Sequence, residues 1–295
     1  MIINHGVRGS IPTSGPFTVK YGGSTPCVEI LTKNVQIIFD CGSGFSKVKI
    51  NDTKPTIILL SHFHHDHLQG LPFNPTLYSS KEPILVACAH KSKLETREII
   101  KQSFSPPFFP FDLLNLTNNV KVVEFKDIVS EFKSFNFSSF SLIHPGESSG
   151  YSLNDKDKKF CYLLDNEFNK TQKNNLVKFC ENSDIIIWDG MFTENELKTK
   201  KGWGHSSIEQ GLKFAEDLDL KKLIISHHAP DRTDEQIEKI SAKYKNSNLL
   251  SRGKIDCLIL NTVKGKGFKI MENDPKWHYW NSLSDKQINK CLSEI

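Results

Sequence analysis

Apolar residues come along this chain in short unbroken runs bounded by polar or glycine-rich stretches. Runs at 35–39, 56–60, 84–88, 160–164, 184–188 and 222–226 are rich in Ile, Leu and Val. Such a run predicts a strand covered on both faces, because a strand with one wet face would alternate. Residues 91–103, 170–180, 206–217 and 234–245 carry helical patterning. Residues 1–60 predict a strand-rich start with Gly/Pro loops at 8–16 and 21–24, and 120–164 predicts four more strands. Final strands are expected near 257–260 and 267–271. Strands alternating with helices, with no linker between, predict one large α/β domain.

Residues 61–70 read SHFHHDHLQG and follow the run at 56–60 directly. That order places His62, His64, Asp66 and His67 at the end of a buried strand, in the spacing HxHxDH. A lone histidine there is usually a satisfied core or surface residue. Three imidazoles and a carboxylate crowded into six positions repel one another's protons unless a cation sits among them, so the cluster predicts a metal site.

The pattern resembles the metallo-β-lactamase fold hydrolases, whose further motifs can be sought in order. His144 follows the strand-like 139–143, Asp165 closes 160–164, and His227, followed by His228, closes 222–226. Asp40, closing 35–39, matches the carboxylate that in this family orients the HxHxDH loop without binding metal. The resemblance spans residues 1 to about 270 and implies a four-layer αββα sandwich with metal at one edge. It implies two divalent ions, one held by His62, His64 and His144, the other by Asp66, His67 and His227, with Asp165 shared. Ligands of nitrogen and oxygen suit Zn²⁺ first, with Mn²⁺ or Fe²⁺ as alternatives. Water between two such ions would have its pKa lowered toward ~7 and serve as nucleophile, with Asp66 part of that catalytic machinery. The family pattern does not use His65 or His228 as ligands, and both are read as structural neighbours.

Composition changes this picture little. The 295 residues have a formal charge of +4, with 38 basic side chains scattered, which favours an anionic small molecule over a nucleic-acid surface. No run of about 18 apolar residues and no signal-like start is present, and the seven cysteines form no CxxC pair. A cytoplasmic enzyme with reduced core thiols and no membrane partner is expected. The domain is expected over 1–272, with 273–295, including Trp277 and Trp280, as a packing or oligomerisation extension compatible with a homodimer.

The substrate is read from smaller features. Gly204-His205-Ser206 resembles the Gly-His-Ser/Thr motif of the RNase Z and cyclic phosphodiesterase branch, in which the histidine faces the scissile phosphate. The segments around Arg8 and at 21–27 look like the N-terminal signature of bacterial proteins in that branch. Arg8 and Ser206 are therefore candidate substrate-binding residues. Ser206 is alternatively a helix cap, with Glu209 completing a capping box. Asp189, at another strand end, is placed to orient His205. RNase Z normally carries a flexible arm that grips tRNA, and no such insertion occurs here, since Asp189 and His205 lie close in sequence. The reading that follows is a phosphodiesterase for small cyclic phosphates, 3′,5′-cyclic nucleotides first. The alternatives are RNA 3′ processing and, behind it, lactone or thioester hydrolysis. The Phe/Pro-rich 103–111 segment is either a stiff packed loop or a wall for a nucleobase.

Overall fold

The computed structural model describes residues 1–245 and 256–259. One sheet contains β1 (Ile2–Gly6), β2 (Cys27–Leu31), β3 (Gln36–Phe39), β4 (Thr56–Leu60), β5 (Ile84–Cys88) and β6 (Val120–Val122). The other contains β7 (Ser138–Leu142), β8 (Ser148–Asp155), β9 (Lys158–Leu163), β10 (Ile185–Asp189), β11 (Lys222–Ser226) and β12 (Asp256–Ile259). The helices are α1 (His65–Leu68), α2 (Pro75–Ser79), α3 (Lys93–Ser103), α4 (Leu113–Leu116), α5 (Phe125–Glu131), α6 (Lys170–Cys180), α7 (Glu194–Leu197), α8 (Ile208–Asp217) and α9 (Asp234–Lys245). Each sheet keeps its strands in chain order and begins with an antiparallel pair of hairpins, β1–β2–β3 and β7–β8–β9. The remaining strands of each sheet are parallel.

The apolar runs are buried on both faces because each strand feeds two cores. In β4, Ile57 and Leu59 point between the sheets while Ile58 and Leu60 point to the outer layer. In β10, Ile187 points inward while Ile186 and Trp188 face the helix layer that includes α6 and α8. Three apolar layers separated by two sheets make the four-layer αββα sandwich. Between the sheets, Phe39 stacks on Tyr162 with centroids 5.1 Å apart and also meets Tyr151 and Phe160. The outer helices start at side-chain caps, Ser92 with Glu95 for α3 and Asn169 for α6.

The structure corrects the sequence reading in two places. Residues 120–164 do hold four strands, but α5 intervenes, its Ile128 buried against the inter-sheet core with Phe125, Val129 and Phe132 beside it. Helix α8 begins two residues later than expected, and its capping box is Ser207 with Gln210 in place of Ser206 with Glu209. The expected strand at 267–271 and the extension at 273–295 lie outside the described residues. Among the described residues no helix is long and apolar enough to cross a membrane, and Cys27, Cys41, Cys88, Cys161 and Cys180 are buried and free.

The loop after β3 and the helix after β4 touch backbone to backbone. Cys41 N donates to His67 O at 2.7 Å and Gly70 N to Cys41 O at 2.8 Å. A Cβ on Gly70 would sit 1.9 Å from Gly42 O, and one on Gly42 would sit 2.2 Å from Asp66 O. Neither contact can relax through a flexible side chain. Gly70→Ala should therefore lower unfolding free energy by more than about 2 kcal/mol, at the upper part of what overpacking typically costs. Equilibrium denaturation checks this; a variant within about 0.5 kcal/mol of wild type would show that the crossing yields freely.

Candidate metal centre

Parallel strands from both sheets end at one edge of the sandwich, and their ends carry the polar residues that the core cannot. β4 leads into His62 and His64 and then α1, which holds Asp66 and His67. His144 follows β7, Asp165 follows β9, Asp189 ends β10, and His227 follows β11. Asp40, Asp165 and His227 have φ of 59°, 55° and 62°, a left-handed conformation unusual outside glycine. Each strand must turn sharply there to aim its side chain along the sandwich edge, and such strain concentrates at functional sites.

Two groups of side chains form around Asp165. Its Oδ2 lies 3.6 Å from His62 Nε2 and 3.4 Å from His144 Nε2, and His144 Nε2 lies 3.1 Å from His64 Nδ1. Its Oδ1 lies 3.1 Å from His67 Nε2 and 3.0 Å from His227 Nε2, both of which also lie 3.3 Å from Asp66 Oδ2. The two carboxylate oxygens thus face different histidine groups. Asp165 Oδ1 and His62 Nε2 are buried and make no hydrogen bond. Buried polar atoms this close but not aligned as donor and acceptor are satisfied by a cation, and the donor set fits a divalent metal.

The rings are held from behind, which fixes the nitrogen each presents. His67 Nδ1 donates to Asp40 Oδ2 at 2.7 Å, leaving Nε2 inward. His62 Nδ1 lies 3.0 Å from Ser61 Oγ, which itself donates to Asp40 Oδ2 at 2.8 Å. His144 Nδ1 donates to Gly204 O at 2.8 Å. Such outer partners set ring tautomer and orientation in metal sites. Ser10 N donates to Asp66 Oδ2 at 2.7 Å, and a Cβ on Gly9 would sit 2.6 Å from the His227 ring. The N-terminal loop is therefore a wall of the site. Sequence reading gave no role to Ser10, Ser61, Tyr162 or the Gly204 carbonyl, since main-chain groups, a serine hydroxyl and a core tyrosine leave no local signature.

Electrostatics follow burial and neighbours. Burial, then His67, holds His62 well below the ordinary imidazole value, and burial lowers His64 and His144 as well, so all three are neutral donors. Against the desolvation that would raise them, the histidines hold both Asp66 and Asp165 well below the carboxylate range. His205 is 8% exposed, and its Nδ1 donates to Asp189 Oδ2 at 2.8 Å. Burial would lower its pKa, but Asp189 outweighs that and carries it up to about 9. Its ring lies 5.3 Å from His144 and 5.1 Å from His227, and a ring nitrogen lies within 4.8 Å of ligand atoms of Asp165, Asp189 and His227, so His205 stands at the margin of the cluster.

Two expected substrate contacts are not available to a substrate. Arg8 is fully buried, with Nε donating to Gly22 O at 2.8 Å, Nη1 to Arg232 O at 2.5 Å and Nη2 to Asp234 at 3.4 Å. It ties the second Gly-rich loop to the start of α9. Ser206 is also buried, its hydroxyl donating to Asn166 O and accepting from Phe168 N at 3.2 Å. His228 is buried between Arg8 and Arg232 and held neutral, while His65 is exposed. In the 103–111 segment Phe104 is buried, Phe109 packs on the outer core and Phe108 is exposed.

The chain is 23% identical to a Ribonuclease Z of Picrophilus torridus over 83% of this chain and 87% of that one. Its fold resembles the metallo-beta-lactamase fold protein YhfI of Bacillus subtilis, with TM-score 0.64 and 15% identity over 88% of this chain and 96% of that chain. It also resembles a diphosphatase from the PhnP family, with TM-score 0.58 and 16% identity over 88% of this chain and 94% of the other. A family profile described as Beta-lactamase superfamily domain matches residues 36–228, most of both sheets and every residue of the metal cluster. The chain therefore belongs to the beta-lactamase superfamily domain family, and it is a metal-dependent hydrolase of the metallo-β-lactamase fold.

Proposed function

We propose that this hydrolase is a binuclear metal phosphodiesterase that opens small cyclic phosphates, 3′,5′-cyclic nucleotides first among them. The observation that carries the reading is the buried His205–Asp189 pair beside the metal cluster. In this reading His62, His64 and His144 hold one ion, Asp66, His67 and His227 the other, and Asp165 both. Zn²⁺ suits these donors, with Mn²⁺ or Fe²⁺ as alternatives. Bound ions of this kind neutralise charge on phosphoryl oxygens and lower the pKa of water toward ~7.

The protein's own residues supply the proton. Asp189 is fixed by Met191 N at 3.0 Å and Asn166 N at 3.2 Å, and it occupies His205 Nδ1. Nε2 is then the nitrogen that donates to the leaving oxygen. A pKa raised to about 9 keeps that proton in place at neutral pH. Proton donation matters for an alkoxide leaving from phosphorus, which is what a cyclic phosphodiester releases on opening. A second reading, RNA 3′ processing, is favoured by the Ribonuclease Z relative. The short path from Asp189 to His205, 16 positions in sequence, leaves no tRNA-gripping arm between them and supports the small substrate.

Three outcomes test this. Elemental analysis of protein purified without chelator should find close to two equivalents of divalent metal per chain, and Asp165→Ala should lose more metal than any other single ligand change. A content that stays at zero after reconstitution with Zn²⁺ or Mn²⁺ would sink the proposal. His205→Ala should keep its metals and its fold but lose about 10²- to 10⁴-fold in kcat, a barrier increase of about 3 to 5 kcal/mol. Substrate affinity should change far less, and near wild-type turnover would leave His205 as a mere residue before a helix. Cyclic mononucleotides should be opened to monoesters while a pre-tRNA is cut poorly; the reverse result selects RNA processing.

A further inference from the structure

Two residues before His205 stands Trp203, whose side chain is 56% exposed at the rim of the site. Single exposed aromatics are common and by themselves mean nothing. This one differs in how its backbone is held. The Glu167 carboxylate accepts from Gly202 N at 2.8 and 3.0 Å and from Gly204 N at 2.9 Å, gripping the chain on both sides of the indole. Both glycines have φ of +83°, and a Cβ on Gly204 would sit 2.2 Å from His144 Nδ1. The loop is therefore built to this shape and held against His144, whose Nδ1 donates to Gly204 O at 2.8 Å.

Phe192 ties the indole to the proton donor. Its ring lies 6.4 Å from Trp203 and 5.9 Å from His205, edge to face with both. Lys200 Nζ lies over the Trp203 ring, 4.0 Å from its centroid, so the ammonium covers one face of the indole and supplies a positive charge for an anionic ligand, and a base would stack on the opposite face. The geometry points to Trp203 as a stacking surface for an aromatic base carried by the substrate, which makes it a specificity-determining residue. This inference rests on the phosphodiesterase reading, in which the group attached to the leaving oxygen lies on the His205 side and hence beside Trp203. Neither Arg8 nor Ser206 can perform this recognition, because both are committed within the fold.

Binding of two product-like probes to the metal-loaded protein separates the possibilities: adenosine 5′-monophosphate, and ribose 5-phosphate, which has the same phosphate and sugar but no base. Wild type should bind the nucleotide about 5- to 100-fold more tightly, the range a single base–aromatic stack supplies. The nucleotide, and not the sugar phosphate, should quench indole fluorescence. Trp203→Phe should keep most of the preference. Trp203→Leu should abolish both preference and quenching while ribose 5-phosphate affinity and metal content stay at wild-type values. Equal binding of the two probes by wild type, or a preference that survives Trp203→Leu, would overturn the stacking role and leave the phosphodiesterase reading standing. Failure of both probes to bind the metal-loaded wild type would overturn that reading and the inference with it.

Discussion

The organisation of the site depends on one fully buried carboxylate, Asp40. It accepts from Ser61 N at 2.6 Å, Ser61 Oγ at 2.8 Å, His67 Nδ1 at 2.7 Å and Tyr162 OH at 2.7 Å. Three of these donors lie on the segment that carries the HxHxDH motif, and the fourth comes from the other sheet. A buried charge is tolerated only when its lone pairs are filled, so the penalty for burying Asp40 enforces the position of everything that donates to it. The loop cannot swing outward without stranding a carboxylate between two sheets. Phe39, stacked on Tyr162 one residue before, gives the same register an apolar reason.

The metal cluster itself runs against folding. Asp66 and Asp165 are charged and buried, three strand ends take a left-handed φ, and Gly42 meets Gly70 with no room for a methyl group. Each feature is unfavourable in the protein alone and is sustained by the three apolar layers beneath it. The division of labour is spatial: the strands supply stability along their length and release it at their C-terminal ends. The N-terminal loop joins this arrangement late in space though early in sequence, with His228 N donating to Val7 O and Gly9 N to His228 O.

How much of this could be read from sequence follows from how local each cause is. The runs at 56–60 and 222–226 announce strands because both faces must be apolar, and HxHxDH announces a metal because its members are neighbours in the chain. Arg8 and Ser206 misled because their partners are far away: Arg232 and Asp234 for one, Asn166 and Phe168 for the other. The cap of α8 shows a different limit. Ser206 and Ser207 each have an acid or amide three residues on, and what decides for Ser207 is that the Ser206 hydroxyl is taken by Asn166 O and Phe168 N. Helix α5 was legible in principle, since Phe125, Ile128, Val129 and Phe132 follow helical spacing. The flanking β-branched and aromatic residues hid that period among strands.

Two Asp–His pairs stand at this edge with nearly equal bonds, 2.7 Å for Asp40–His67 and 2.8 Å for Asp189–His205, yet they are suited to different work. In both, the carboxylate fixes Nδ1 and favours the imidazolium. What differs is the surroundings of Nε2. His67 Nε2 lies within 3.3 Å of Asp66 and Asp165, two acids shared with His227, so a divalent cation placed there competes with a proton for the same nitrogen and brings twice the charge. Among the described residues Asp189 is the carboxylate that His205 meets at hydrogen-bond distance, with Asp165 and Asp66 acting on it from further away. Its raised pKa comes chiefly from Asp189, which favours the protonated ring at neutral pH. The same dyad therefore stands in two settings, Nε2 against two carboxylates for His67 and Nδ1 against one for His205, and it is this difference on which the proposed division between metal ligand and proton donor rests.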